Sequence, residues 1–160
     1  MANQAIDINI INPFLISAKN VVETMCHTKT EAKKPKLKDN SLTYGEVTGI
    51  IGMASSHIRG CMVISFSKKC ILNIVSNMLM EEIQNDINEE IVDAVGELTN
   101  MICGGAKAAL EETYHEFDMA TPTMVVGTGL EISYQSAFPT ITIPFTTEYG
   151  DFVIEANLGT

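Results

Sequence analysis

Apolar residues recur at three- and four-residue steps in three stretches of the chain and alternate with polar ones in several others. The first helical stretch runs from Pro13 to Met25. Phe14, Ala18, Val21, Val22 and Met25 form its apolar stripe, Asn12 suits an N-cap, and Pro13 suits the first helical position. A second helix runs from Lys68 to Met80, with Ile71, Leu72, Val75 and Leu79 in phase. The third and longest runs from Ile87 to Tyr114 behind a cap at Asp86 or Asn88. Ile87, Ile91, Val95, Leu98, Ile102, Ala106 and Ala109 mark one seam along it.

Strand patterns fill much of the remainder. Tyr44 to Met53 and Cys61 to Phe66, joined by A-S-S-H-I-R-G, read as a β-hairpin with a loop longer than the tightest kind. Beyond Pro122, Thr123 to Val126, Leu130 to Tyr134, Thr140 to Phe145 and Phe152 to Asn157 read as strands. T-I-T-I-P-F alternates, so one face of that strand should be buried and the other wetter. Pro144 cannot donate to a ladder and points to an edge or a bulge. Glu148 to Asp151 should close a last hairpin. Lys29 to Asn40 reads as an exposed connection with a short strand near Leu37. The expectation is an α/β chain of α+β type: residues 1–160 as a single domain, an antiparallel sheet, and three main helices packed mainly on one face.

Composition narrows the function classes. A 160-residue chain with 46% hydrophobic and 19% charged residues can bury a sizeable core. The net charge of -10 argues against nucleic acid or an anionic membrane as the main partner. The basic residues are uneven: Lys29, Lys33, Lys34, Lys36 and Lys38 sit in the one connection. Cys26, Cys61, Cys70 and Cys103 form no C-x-x-C, and His27, His57 and His115 are scattered singly. No metal site is therefore expected, and the thiols read as reduced and buried. The first residues lack the basic region and cleavage site of a secretory signal, and no apolar run approaches the length of a membrane span. The expected location is the cytoplasm. Gly127 and Gly129 precede a strand and not a helix, which argues against a dinucleotide loop.

One segment carries candidate chemistry: D-A-V-G-E-L-T-N, Asp93 to Asn100. Glu97 and Asn100 are three residues apart, so on a helix they are neighbours on one face. At 100° per residue, Asp93, Glu97, Asn100, Gly104 and Glu111 fall opposite the buried seam. A carboxylate beside a carboxamide can grip a cation and hold a water. The plainer reading is a solvated helix face, with Gly104-Gly105 as a close helix contact.

Asp93, Glu97 and Asn100, followed at a distance by Pro122, resemble the signature of the CheC/CheX/FliY family of chemotaxis phosphatases. D-A-V-G-E-L-T-N-M-I-C-G-G from Asp93 to Gly105, G-E-V-T-G-I-I-G-M from Gly45 to Met53 and I-V-S-N-M-L from Ile74 to Leu79 resemble its CheX branch. CheC proteins generally carry two such motifs. This chain has one, since Glu23-Thr24-Met25-Cys26 lacks the Asn.

The resemblance implies a CheC-like fold, a homodimer and an activity: hydrolysis of the aspartyl phosphate on a phosphorylated CheY-type response regulator. It implies that Asn100 orients the attacking water and that Glu97 pairs with the regulator's lysine. Asp93 and Gly104 would belong to the docking surface. No cofactor is expected on this chain; Mg²⁺ is expected on the regulator. The competing reading is a binding module of the same fold that docks on a regulator or the flagellar switch without catalysis. A metal or nucleotide enzyme is disfavoured by the lack of clustered ligands and phosphate loops.

Overall fold

The computed structural model describes residues 7–114, 116–134 and 138–159. Among the described residues three helices, α1 (Ile8–Met25), α2 (Lys68–Leu79) and α3 (Glu89–Tyr114), accompany eight strands. The strands are β1 (Glu31–Ala32), β2 (Lys36–Leu37), β3 (Val47–Ala54), β4 (Arg59–Phe66), β5 (Asp118–Met119), β6 (Thr123–Val126), β7 (Ile141–Thr147) and β8 (Gly150–Gly159). They form one sheet in the order β1-β7-β8-β4-β3-β5, with β2 beside β7 and β6 beside β3. Every pairing is antiparallel.

The register sorts the side chains into two faces. Val47, Ile51, Met62, Ile64, Phe66, Ile143, Phe145, Phe152 and Ile154 share one face and are buried beneath the helices. Phe152 stacks between Phe66, 5.1 Å away by ring centroid, and Phe145, 4.7 Å away. Burying side chains of this size stabilises by about 1.5–3 kcal/mol each. That shared apolar floor is what holds α3 against β3 and α1 against α3.

The opposite face carries Thr48, Ser65, Val63, Glu155 and Asn157, and loops cover it instead of helices. Lys38 forms an ion pair with Glu155, and the Tyr134 hydroxyl donates to Glu155 Oε2 over 3.2 Å. Asn157 Nδ2 donates to the Phe138 carbonyl at 3.0 Å. Thr43 N–H donates to the Leu130 carbonyl and Ile132 N–H to the Ser41 carbonyl, both at 2.7 Å, tying the two covering segments together.

Several boundaries differ from the sequence reading. α1 begins at Ile8, not Pro13: Asp7 is the N-cap, its carboxylate accepting from Asn9 N–H at 3.0 Å. Pro13 therefore lies inside the helix. The Asn9 carbonyl it leaves without a partner is on an exposed residue that water can serve, and burial of Ile10 and Ile11 offsets the disruption. The extra turn was hidden because proline ordinarily marks a helix start. Leu130 to Tyr134 is not a strand but makes a single bridge, Leu42↔Glu131, because its partner segment is itself irregular. β5 carries too short a pattern to be seen in the sequence. Pro144 sits where β7 faces the gap between β1 and β2. Its carbonyl accepts from Lys33 N–H at 2.8 Å, so the missing donor points to the sheet edge.

Candidate functional site

α3 is the longest helix, at 26 residues. Asn88 starts it, with its side-chain oxygen accepting from Ile91 N–H at 3.0 Å, and Glu89 and Glu90 occupy the first turn, where they complement the helix dipole. Ile91, Val95, Leu98, Ile102, Ala106 and Leu110 are buried. Ala109, read from the sequence as the end of this seam, is exposed, and Leu110 takes its place.

Asp93, Glu97, Asn100 and Gly104 form a single stripe on the opposite side. Asp93 and Glu97 are exposed; Asn100 and Gly104 are half-buried. The side chains of Asp93, Glu97 and Asn100 make no hydrogen bond or ion pair with other described residues. Lys107, the sole basic residue of α3, is paired with Glu111 at 2.8 Å. Glu111 is held below the usual carboxylate range by Lys107 first and by Phe117 N–H second. Glu97 is thus left with a carboxylate and no cation from its own helix.

The glycines on α3 play different parts. A Cβ on Gly104 would meet nothing within 4 Å, so the surface beside Asn100 is open. A Cβ on Gly96 would lie 3.8 Å from Met124 Sδ, an ordinary contact with β6. A Cβ on Gly105 would stand 2.3 Å from Ser17 Oγ, so this glycine is the close helix contact and Gly104 is not.

Of three surface cavities, of about 670, 430 and 420 Å³, none is lined by Asp93, Glu97, Asn100 or Gly104. No group of three His, Cys, Asp or Glu side chains could hold a metal ion among the described residues. No described helix is long and apolar enough to cross a membrane. Glu97 can accept from a cation. Asn100 can accept from and donate to one water.

Sequence reasoning gave no role to Ser17, Thr99 or Gly49, which lie at close approaches on two sides of α3. Thr99 Oγ1 donates to the Val95 carbonyl at 2.7 Å, and a Cβ on Gly49 of β3 would stand 2.4 Å from that oxygen. The only signal in the sequence was a hydroxyl at a position in phase with an apolar stripe.

Residues 47–146 match the family model for chemotaxis phosphatase CheX. The CheY-P phosphatase CheX of Thermotoga maritima is 28% identical over 126 residues, covering 79% of this chain and 81% of that protein. The crystal structure of chemotaxis protein CheX from Vibrio vulnificus is 42% identical, with a TM-score of 0.86 over 93% of this chain and 98% of that one. A chain in the crystal structure of the CheX–CheY–BeF3–Mg²⁺ complex from Borrelia burgdorferi has the same fold. Its TM-score is 0.82 at 24% identity, over 96% of this chain and 100% of that one.

Proposed function

The chain belongs to the CheX family of chemotaxis phosphatases, and on that footing we propose that it hydrolyses the aspartyl phosphate of a phosphorylated CheY-type response regulator. The observation that carries this reading is the Glu97–Asn100 pair on one face of α3, without a partner among the described residues and beside the open surface at Gly104. Such a surface fits into another protein's active site better than it encloses a small substrate.

An acyl phosphate is already activated. Hydrolysis forms one bond, from a water oxygen to phosphorus, and breaks the bond from phosphorus to the aspartyl oxygen. The products are inorganic phosphate and the free carboxylate. Asn100 inserts its carboxamide and holds the water in line with the breaking bond. An amide is not basic, so its contribution is orientation, as for the water-positioning Gln of GTPases. Orientation of this kind contributes roughly 10²-fold or more. Glu97 accepts from the regulator's lysine and sets the register of docking; Asp93 and Gly104 lie on the same contact surface. Mg²⁺ bound by the regulator supplies charge neutralisation at the phosphoryl oxygens.

We infer also that residues 1–160 act as one domain and that two copies associate. β6 has β3 as its strand neighbour, carries no charge, and leaves Val126 54% exposed. The opposite edge is lined by Glu31, Lys33, Lys34 and Lys36, the kind of charged edge that resists pairing. Val126→Lys should shift the dimer toward monomer in sedimentation; an unchanged mass would remove β6 from that role.

The direct test is phosphate release from the phosphorylated regulator. Adding the chain should accelerate it at least tenfold over the regulator's own rate, and chelating Mg²⁺ should abolish the acceleration. Release at the regulator's own rate would leave only a binding role.

A further inference from the structure

We propose that Ser17 is a positioning residue for Asn100, acting through a latch between α1 and α3; this rests on the role given to Asn100 above. Ser17 lies in the apolar stripe of α1 and is 7% exposed, so its hydroxyl needs a partner inside the protein. It finds one 85 residues away: Ser17 Oγ donates to the Ile102 carbonyl at 2.6 Å. Ile102 is two residues beyond Asn100 on α3. Gly105 makes the approach possible, since a side chain there would put Cβ 2.3 Å from Ser17 Oγ and 3.2 Å from Ser17 Cβ.

The other side of α3 also carries a close approach. Thr99, adjacent to Asn100, faces the sheet with its hydroxyl on the Val95 carbonyl, and the absence of a side chain at Gly49 lets β3 come up against it. Asn100 thus sits between two close approaches, one to α1 and one to β3. Each requires a glycine on one partner and a hydroxyl on the other. Apolar burial is non-directional, whereas a hydrogen bond to one particular carbonyl adds a directional constraint.

Water orientation is sensitive to small displacements, with about 1 Å of misplacement able to cost ~100-fold in rate. Loss of the latch should therefore lower turnover without weakening docking, because the acidic face of α3 remains presented to the regulator.

The test is steady-state and single-turnover hydrolysis of the phosphorylated regulator by the Ser17→Ala, Asn100→Ala and doubly substituted proteins. Ser17→Ala should reduce kcat by about 5- to 20-fold with KM unchanged. In the Asn100→Ala background it should have no further effect, since the residue it positions is gone. Gly105→Ala, which favours helix, probes the same contact independently. It should lower kcat similarly, and adding Ser17→Ala should cost little more, since the same latch is already lost. A folded Ser17→Ala protein with parental kcat, or one whose loss appears in KM or adds fully to that of Asn100→Ala, overturns the latch. An Asn100→Ala protein with parental turnover overturns the role of Asn100 itself and is recognised separately.

Discussion

Asn100 and Gly104 lie one helical turn apart on α3, and no atom approaches within 4 Å of where a Cβ on Gly104 would stand. An interior helical glycine costs about 1 kcal/mol relative to Ala. The helix accepts that cost at a position where packing does not require it. Gly104→Leu should therefore raise stability by roughly 0.5–1 kcal/mol and at the same time weaken docking. Denaturant unfolding and binding to beryllofluoride-activated regulator measure the two effects. A stabilised protein with undiminished binding would show that this surface is not in the interface.

Glu97 has no cationic partner among the described residues, so its charge is available to another molecule. Glu97→Lys should weaken association by about 2–3 kcal/mol, removing one charged hydrogen bond and adding a repulsion. The salt dependence of binding should fall as well. Equal affinity for the parent and Glu97→Lys proteins, measured calorimetrically, would take Glu97 out of the contact.

Lys38 and Glu155 are 9% and 3% exposed on the sheet face away from the helices. Lys38→Met strands the carboxylate with only the Tyr134 hydroxyl and should cost about 3–5 kcal/mol. Combining it with Glu155→Leu should recover most of that loss. A single substitution costing less than ~1 kcal/mol would mean that water already reaches the pair.

The thiols titrate far from neutrality. Burial pushes Cys26 and Cys103 up to about 12, and Cys61 and Cys70 to about 11. Unfolded thiols titrate near ~8.5. The folded state's preference for the protonated form is therefore complete below that pH and is lost as the pH rises toward 11–12. Stability should decline above pH ~9. Alkylation at pH 8 should be at least ~100-fold slower in the folded than in the unfolded protein. Cys61 is only partly buried, so rapid labelling of Cys26, Cys70 or Cys103 in the native protein, read by mass spectrometry, is the result that would contradict this burial.

The sequence made the long helix and its exposed stripe legible because Ile91, Val95, Leu98, Ile102 and Ala106 keep helical phase without interruption, which places Glu97 and Asn100 by rotation alone. The hairpin of β3 and β4 was legible for a similar reason, having two dense runs of Val, Ile and Met. What escaped depended on contacts between distant segments. The first turn of α1 was masked by Pro13. The cover over the second sheet face rests on Lys38 and Tyr134 meeting Glu155, which no local pattern announces. Ser17 and Gly105, 88 positions apart in the sequence, show their relationship only once α1 lies on α3.

The most direct test of the central claim compares parent and Asn100→Ala proteins in phosphate release from the phosphorylated regulator at saturating concentration. Asn100→Ala should lose at least ~100-fold in kcat while retaining its fold and most of its affinity for the beryllofluoride-activated regulator. Turnover at the parental rate would contradict the account, and a parent protein that binds without accelerating release would make this chain a docking module.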